Sequence, residues 1–103
     1  MSTVTNVILT CALGDDDKLP AVNEYLTREH FGLGLLAVDR LWPPGDHGKA
    51  METHVWIGAF NCLDRAEFLA AIADVHWDDR DAVRVFLQLQ DDEGFRDPVR
   101  LAV

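Results

Sequence analysis

The order of strand-like and helix-like patterns constrains the fold of this chain more than any other feature. Residues 5–13 alternate side chains with a period of two, which predicts a strand with one side turned to a core. Residues 19–30 place apolar side chains at three- and four-residue spacing, which predicts a helix. A second strand is predicted over 33–42, because the two prolines that follow cannot continue a ladder.

The second half of the chain repeats this order. Residues 54–61 predict a third strand, residues 63–75 a second helix and residues 82–90 a fourth strand. The last residues allow one further short edge strand through Val99, Leu101 and Val103.

The order β-α-β-β-α-β predicts an α+β fold of the ferredoxin-like, split βαβ type. In this fold two helices pack on one face of a four-stranded antiparallel sheet. Right-handed crossovers then give the strand order 4-1-3-2, in which strands one and three are central. At 103 residues the chain is expected to form a single domain, residues 1–103.

The third strand is apolar on both of its sides, although the helices of this fold cover only one face of the sheet. We assign the uniformly apolar positions to the helix-covered face: Val7, Leu9, Cys11, Val55, Ile57, Ala59, Val83, Val85 and Leu87. The opposite face, called the open face below, then receives Asn6, Ile8, Thr10, Val38, Arg40, Trp42, His54, Trp56, Phe60, Arg84, Phe86 and Gln88.

On this assignment the open face carries four aromatic residues: Trp42, Trp56, Phe60 and Phe86. Each ring buries roughly 150 to 250 Å² when it is covered. Together they exceed the few hundred Å² of apolar patch that a monomer usually exposes. We expect a second copy of the chain to cover this face, sheet on sheet, as in dimeric α+β barrels. The alternative covers are the C-terminal segment of the same chain and a nucleic-acid strand stacked on the aromatic rings, which the net charge disfavours.

The charge of the chain argues against nucleic acid as a partner. Eighteen acidic and nine basic residues give a formal net charge of −9, which phosphates repel. No apolar run reaches the roughly 20 residues of a spanning helix, and the N-terminus lacks a signal-peptide pattern, so we expect no membrane association and a cytoplasmic protein. Cys11 and Cys62 are expected to be reduced, buried and too far apart for a disulfide.

The strand directions bring three loops to one end of the molecule, called the acidic end below. These loops carry Asp15, Asp16, Asp17, Asp46, His47, Glu52, His54, His76, Trp77, Asp78, Asp79 and Asp81. A strongly negative surface docks a basic protein rapidly by electrostatic steering. An alternative is a metal site built from His47, Glu52 and His54.

The sequence therefore predicts a small acidic, non-catalytic binding domain that needs no cofactor. It is expected to form a homodimer through the open face and to dock a basic protein through its acidic end. The predicted binding residues are Trp42, His54, Trp56, Phe60, Arg84, Phe86, Asp15, Asp16 and Asp17. The alternative is a dimeric α+β barrel, a small-molecule-binding protein or enzyme, in which His54 acts beside a cavity between the sheets.

Overall fold

Strands and helices alternate along the computed structural model, which describes residues 4–29, 33–41, 51–89 and 99–100. The elements are β1 (Val4–Cys11), α1 (Leu19–Glu29), β2 (Leu36–Ala37), β3 (His54–Asn61), α2 (Arg65–Ala73), β4 (Arg84–Leu89) and β5 (Val99–Arg100). Short 3₁₀ helices cover Leu13–Lys18, Asp39–Leu41 and Arg80–Ala82. The strands pair antiparallel in the order β2-β3-β1-β4-β5. This α+β fold, with two helices and an antiparallel sheet, is compatible with a ferredoxin-like arrangement.

The second strand is much shorter than the sequence predicts. Only Leu36–Ala37 pairs with β3, whereas the prediction covered residues 33–42. The chain leaves the sheet because the amide of Leu41 donates to the carbonyl of Val38 at 3.0 Å, which closes a 3₁₀ turn. The predicted positions of Trp42, Asp46, His47, Leu101 and Val103 lie outside the described residues, while β5 contains the predicted Val99.

The core fills the space between one face of the sheet and the two helices. Alternate residues of β1 and β4 are buried there, as the sequence predicts: Val7, Leu9, Cys11, Val85 and Leu87. The helices contribute Val22, Tyr25, Leu26, Phe68 and Ile72. Trp77, after α2, is also buried and donates from Nε1 to the carbonyl of Ile72 at 2.8 Å.

The predicted faces of β3 are wrong, because Trp56 and Phe60 lie beneath the helices and not on the open face. Trp56 is 1% exposed and Phe60 is 5% exposed, whereas Ile57 is 39% exposed. The reason is the register between β1 and β3, in which Leu9 pairs directly with Trp56. Directly paired residues share a face, so a shift of one residue reverses every side chain of the strand.

The packing of the core explains why the rings of Trp56 and Phe60 are buried beneath the helices. The Trp56 ring packs against Trp77, with 6.2 Å between the ring centroids. A Cβ on Gly58 would come within 2.8 Å of the Phe60 ring, so the absent side chain leaves room for that ring. Large rings remove more apolar surface from water than aliphatic side chains do. The aliphatic side of β3, with Val55, Ile57 and Ala59, is therefore left on the open face.

Helix α1 covers the backbone just before the edge strand β2 through one side chain. Asn23 donates from Nδ2 to the carbonyl of Leu35 at 3.0 Å, and its Oδ1 accepts from the Leu35 amide at 2.7 Å. A Cβ on Gly34 would come within 2.2 Å of Oδ1, so the close approach requires glycine. The amide of Asn23 thus takes the place that a neighbouring strand would occupy, which protects an edge from pairing with another chain.

We expect Asn23→Ala to lower the free energy of unfolding by about 1–3 kcal/mol, because both polar groups of the buried Leu35 lose their partners. Asn23→Asp should be at least as destabilising, since a carboxylate would face the Leu35 carbonyl. Urea unfolding measures both, and Glu24→Ala, an exposed neighbour on α1, is the matched control. Equal stability of Asn23→Ala and the control would contradict this role.

Candidate functional site

A buried carboxylate joins two of the loops at the acidic end. Asp15 is 0% exposed, and its two oxygens accept from the amides of Asp78 at 2.8 Å and Asp79 at 3.1 Å. Hydrogen bonds from amides to a carboxylate are charge-assisted and compensate for its removal from water. The loops after β1 and after α2 therefore meet, as predicted. Asp15, however, holds the loops together and does not present its carboxylate to a partner.

The outer part of the acidic end is exposed and only partly neutralised. Its exposed side chains are Asp16, Asp17, Asp78, Asp79 and Asp81. Lys18 lies among them, with Nζ 3.3 Å from an oxygen of Asp17 and 3.9 Å from an oxygen of Asp78. These five carboxylates outnumber the basic residues Lys18 and Arg80, so the described part of the end keeps an excess of negative charge.

His54 is held between a carboxylate and a carbonyl. Its Nδ1 lies 2.9 Å from Oδ2 of Asp39, and its Nε2 lies 3.0 Å from the carbonyl oxygen of Leu13. The other oxygen of Asp39 accepts from the amide of Val55 at 3.1 Å. A carbonyl and an ionised carboxylate only accept hydrogen bonds, so both ring nitrogens must donate. The geometry therefore favours the imidazolium form of His54, paired with Asp39.

The pKa values of His54 and Asp39 shift in opposite directions. Burial lowers the pKa of His54, but its hydrogen bonds to Asp39 and Leu13 and the charges of Asp39 and Asp16 raise it, and the net pKa lies above the ordinary value. Burial raises the pKa of Asp39, but the bonds from His54 and Val55 lower it, and the net pKa lies below the ordinary value. Both shifts favour the ion pair between His54 and Asp39.

These contacts give His54 a structural role that the sequence does not reveal. It pairs with Cys11 on the helix-covered side of the sheet, so the predicted position beside a cavity between two open faces is wrong. Both ring nitrogens have hydrogen-bond partners within the chain. The described residues contain no group of three potential metal ligands; Glu52 is exposed, and His47 lies outside them.

We expect the stability of the fold to fall as the pH rises through the raised pKa of His54. The contribution of His54 is fully present below its unfolded pKa of about 6.5. It is lost above the folded pKa, while the contribution of Asp39 is lost only in acid, below about pH 4. His54→Gln should cost about 1.5–3 kcal/mol near pH 5.5 and less as the pH rises.

Urea unfolding at a series of pH values measures this difference. The matched control is His76→Gln, which changes an exposed histidine after α2 and should keep the slope of the wild-type protein. A pH dependence that survives His54→Gln would show that another group carries it.

An apolar row crosses the open face over four strands. Leu36, Ile57, Ile8 and Phe86 lie side by side in the register of the sheet. Leu36 is 51% exposed, and Ile8 and Phe86 are half-buried. Phe86 is thus on the open face as predicted, and the aliphatic members of the row replace Trp56 and Phe60 at its centre.

The sides of this row carry almost no charge. On one side lie Thr10, Val55 and Arg84, and on the other lie Asn6, Ala59 and Gln88. Arg84 donates to the carbonyls of Asp81 and Val83. None of the residues of β1 to β4 that point to this face is acidic, although the chain as a whole carries a net charge of −9.

A shallow depression of about 660 Å³ lies on this face. Ile8 and Ile57 line it together with Leu33 and Leu36, and Asn6 and Gln88 add two amides. Asn6 donates from Nδ2 to Oε1 of Gln88 at 3.0 Å. The lining residues in the described part of the chain are all uncharged.

The two cysteines differ in their surroundings. Cys11 is buried, as predicted, and burial together with Asp15, Asp39 and Asp16 raises its pKa to about 12. Cys62 is exposed, contrary to the prediction, and adopts a left-handed backbone with φ of 54° between β3 and α2. Both are free thiols.

Comparison with known proteins does not connect this site to an established activity. No protein-family model matches the chain, and no curated protein or solved structure is significantly similar to it. Within the described ranges, neither α-helix has the length and apolarity needed to cross a bilayer.

Proposed function

We propose that the chain is a non-catalytic interaction domain that associates with a second copy of itself through the open face of its sheet. The observation that supports this most directly is the apolar row Leu36, Ile57, Ile8 and Phe86. An exposed apolar row on a sheet face gains stability when a second sheet covers it. The ferredoxin-like strand order and a cytoplasmic location belong to the same proposal.

Electrostatic repulsion makes the open face a better contact between two copies of the chain than surfaces that carry carboxylates. Two chains that each carry −9 repel one another wherever their carboxylates meet. The open face presents no acidic residue from β1 to β4, so two copies meet there with the least repulsion. A basic partner finds no complementary charge on this face.

The size of the face indicates a weak dimer. Four strands at about 4.8 Å spacing and six residues at about 3.4 Å give a planar area of roughly 400 Å². A standard interface buries about 800 Å² of accessible surface on each partner. The contact is therefore at the small end of specific interfaces, and we expect monomer and dimer to exchange at micromolar concentrations.

We expect Ile57→Asp to weaken self-association at least tenfold, because it places a carboxylate at the centre of the row. Sedimentation velocity over a range of concentrations measures the dissociation constant. Leu13→Asp is the matched control, since Leu13 is 48% exposed but lies outside the sheet. A wild-type chain that stays monomeric at high micromolar concentrations, or an Ile57→Asp variant that pairs normally, would contradict the proposal.

A second function, docking of a basic protein surface, is favoured by the exposed aspartates at the acidic end. Asp16 and Asp17 lie beside Asp78, and Lys18 is their only described basic contact. Such a surface accelerates encounter with a positive partner, and salt screens the attraction.

We expect the double variant Asp16→Lys, Asp17→Lys to bind a lysine decapeptide several-fold more weakly than the double variant Glu24→Lys, Glu67→Lys. Both change the net charge by the same amount, from −9 to −5, so only the place of the charge differs. Fluorescence anisotropy of a labelled peptide, with and without added salt, measures the difference. Equal weakening in both variants would mean that only the total charge matters.

A further inference from the structure

We infer that the depression on the open face binds a neutral, largely apolar small molecule that carries one hydrogen-bonding group. The inference rests on the proposed dimer, because the second copy closes the depression over the ligand. Its volume of about 660 Å³ falls within the range of roughly 300 to 1,000 Å³ that small-molecule sites occupy.

The walls of the depression favour an apolar ligand. Ile8 and Ile57 form part of the central row, and Leu33 and Leu36 add two side chains that are 74% and 51% exposed. Contact with an apolar molecule removes the surface of these exposed side chains from water, which is favourable. The ligand therefore needs a predominantly hydrocarbon or aromatic body.

The amide pair supplies the polar recognition. The bond between Asn6 and Gln88 holds both side chains in place and uses one donor and one acceptor. An amide side chain has two donors and one acceptor oxygen, so Oδ1 of Asn6 and Nε2 of Gln88 keep hydrogen-bonding capacity for a ligand. One N–H, hydroxyl or carbonyl group on the ligand matches this pair.

The electrostatics of the site select against charged ligands. No lining residue in the described part of the chain is charged, so an ion would lose its hydration without gaining an opposite charge. An anion is also repelled by the net charge of −9. A neutral molecule avoids both effects.

The test compares two fluorescent probes with the same aromatic body. N-phenyl-1-naphthylamine is neutral and has one N–H group, whereas 8-anilino-1-naphthalenesulfonate adds a negative charge. We expect saturable binding of the neutral probe, at least tenfold tighter than that of the sulfonate, and tighter at protein concentrations where the dimer forms. Sedimentation velocity on the same samples reports the oligomeric state.

Two substitutions at an exposed position of the open face fill the depression. Ala59→Phe should weaken binding of the neutral probe at least tenfold, and the smaller Ala59→Leu should weaken it by an intermediate factor. The matched control is Ala70→Phe, which adds the same ring at an exposed position of α2 and should bind the probe like the wild type.

The outcomes separate this inference from the proposed function. A wild-type dimer without saturable probe binding would overturn the ligand site and leave the dimer standing. Equal affinity for both probes, or undiminished binding by Ala59→Phe, would also overturn it, because the probe would then be binding elsewhere. Equal binding by a chain that never dimerises would refute both the enclosure and the proposed function.

Discussion

The register between the two central strands is the constraint on which the rest of the structure depends. Leu9 of β1 lies opposite Trp56 of β3, and this pairing turns the larger side of β3 toward the helices. Because side chains alternate along a strand, the same pairing decides what the protein shows to solvent. A shift of one residue would turn Trp56 outward and Ile57 inward, which reverses the burial of both side chains.

Some carboxylates at and near the acidic end make contacts within the chain, which the composition alone does not reveal. Asp15 is buried and accepts two loop amides, and Asp39 is paired with the His54 imidazolium. Both carboxylates bind other parts of the chain. The negative charge that is exposed at the acidic end therefore comes from neighbours such as Asp16. The count of acidic residues therefore overstates the number of carboxylates that a partner can contact directly, because Asp15 is buried and Asp39 is bonded to His54.

The open face is almost the reverse of the acidic end. Among the residues of β1 to β4 that point to it, the one cation is Arg84, whose guanidinium donates to carbonyls of its own chain, and the others are uncharged. A domain with one uncharged face and one strongly negative end can associate through the first without obstructing the second. The two proposed functions are therefore compatible, and the small area of the face accounts for why we expect its association to be reversible.

The sequence by itself determined the order of the elements, the buried sides of β1 and β4 and the meeting of the loops after β1 and after α2, because these follow from periodicity and strand direction. Only the tertiary structure decided the face of β3, since its two sides are both apolar and the period of two does not distinguish them; the choice depends on whether the rings fit over Gly58 and against Trp77. The roles of Asn23 and Asp39 were equally hidden, because their partners, Leu35 and His54, lie 12 and 15 residues away along the chain, and no local pattern records such a contact.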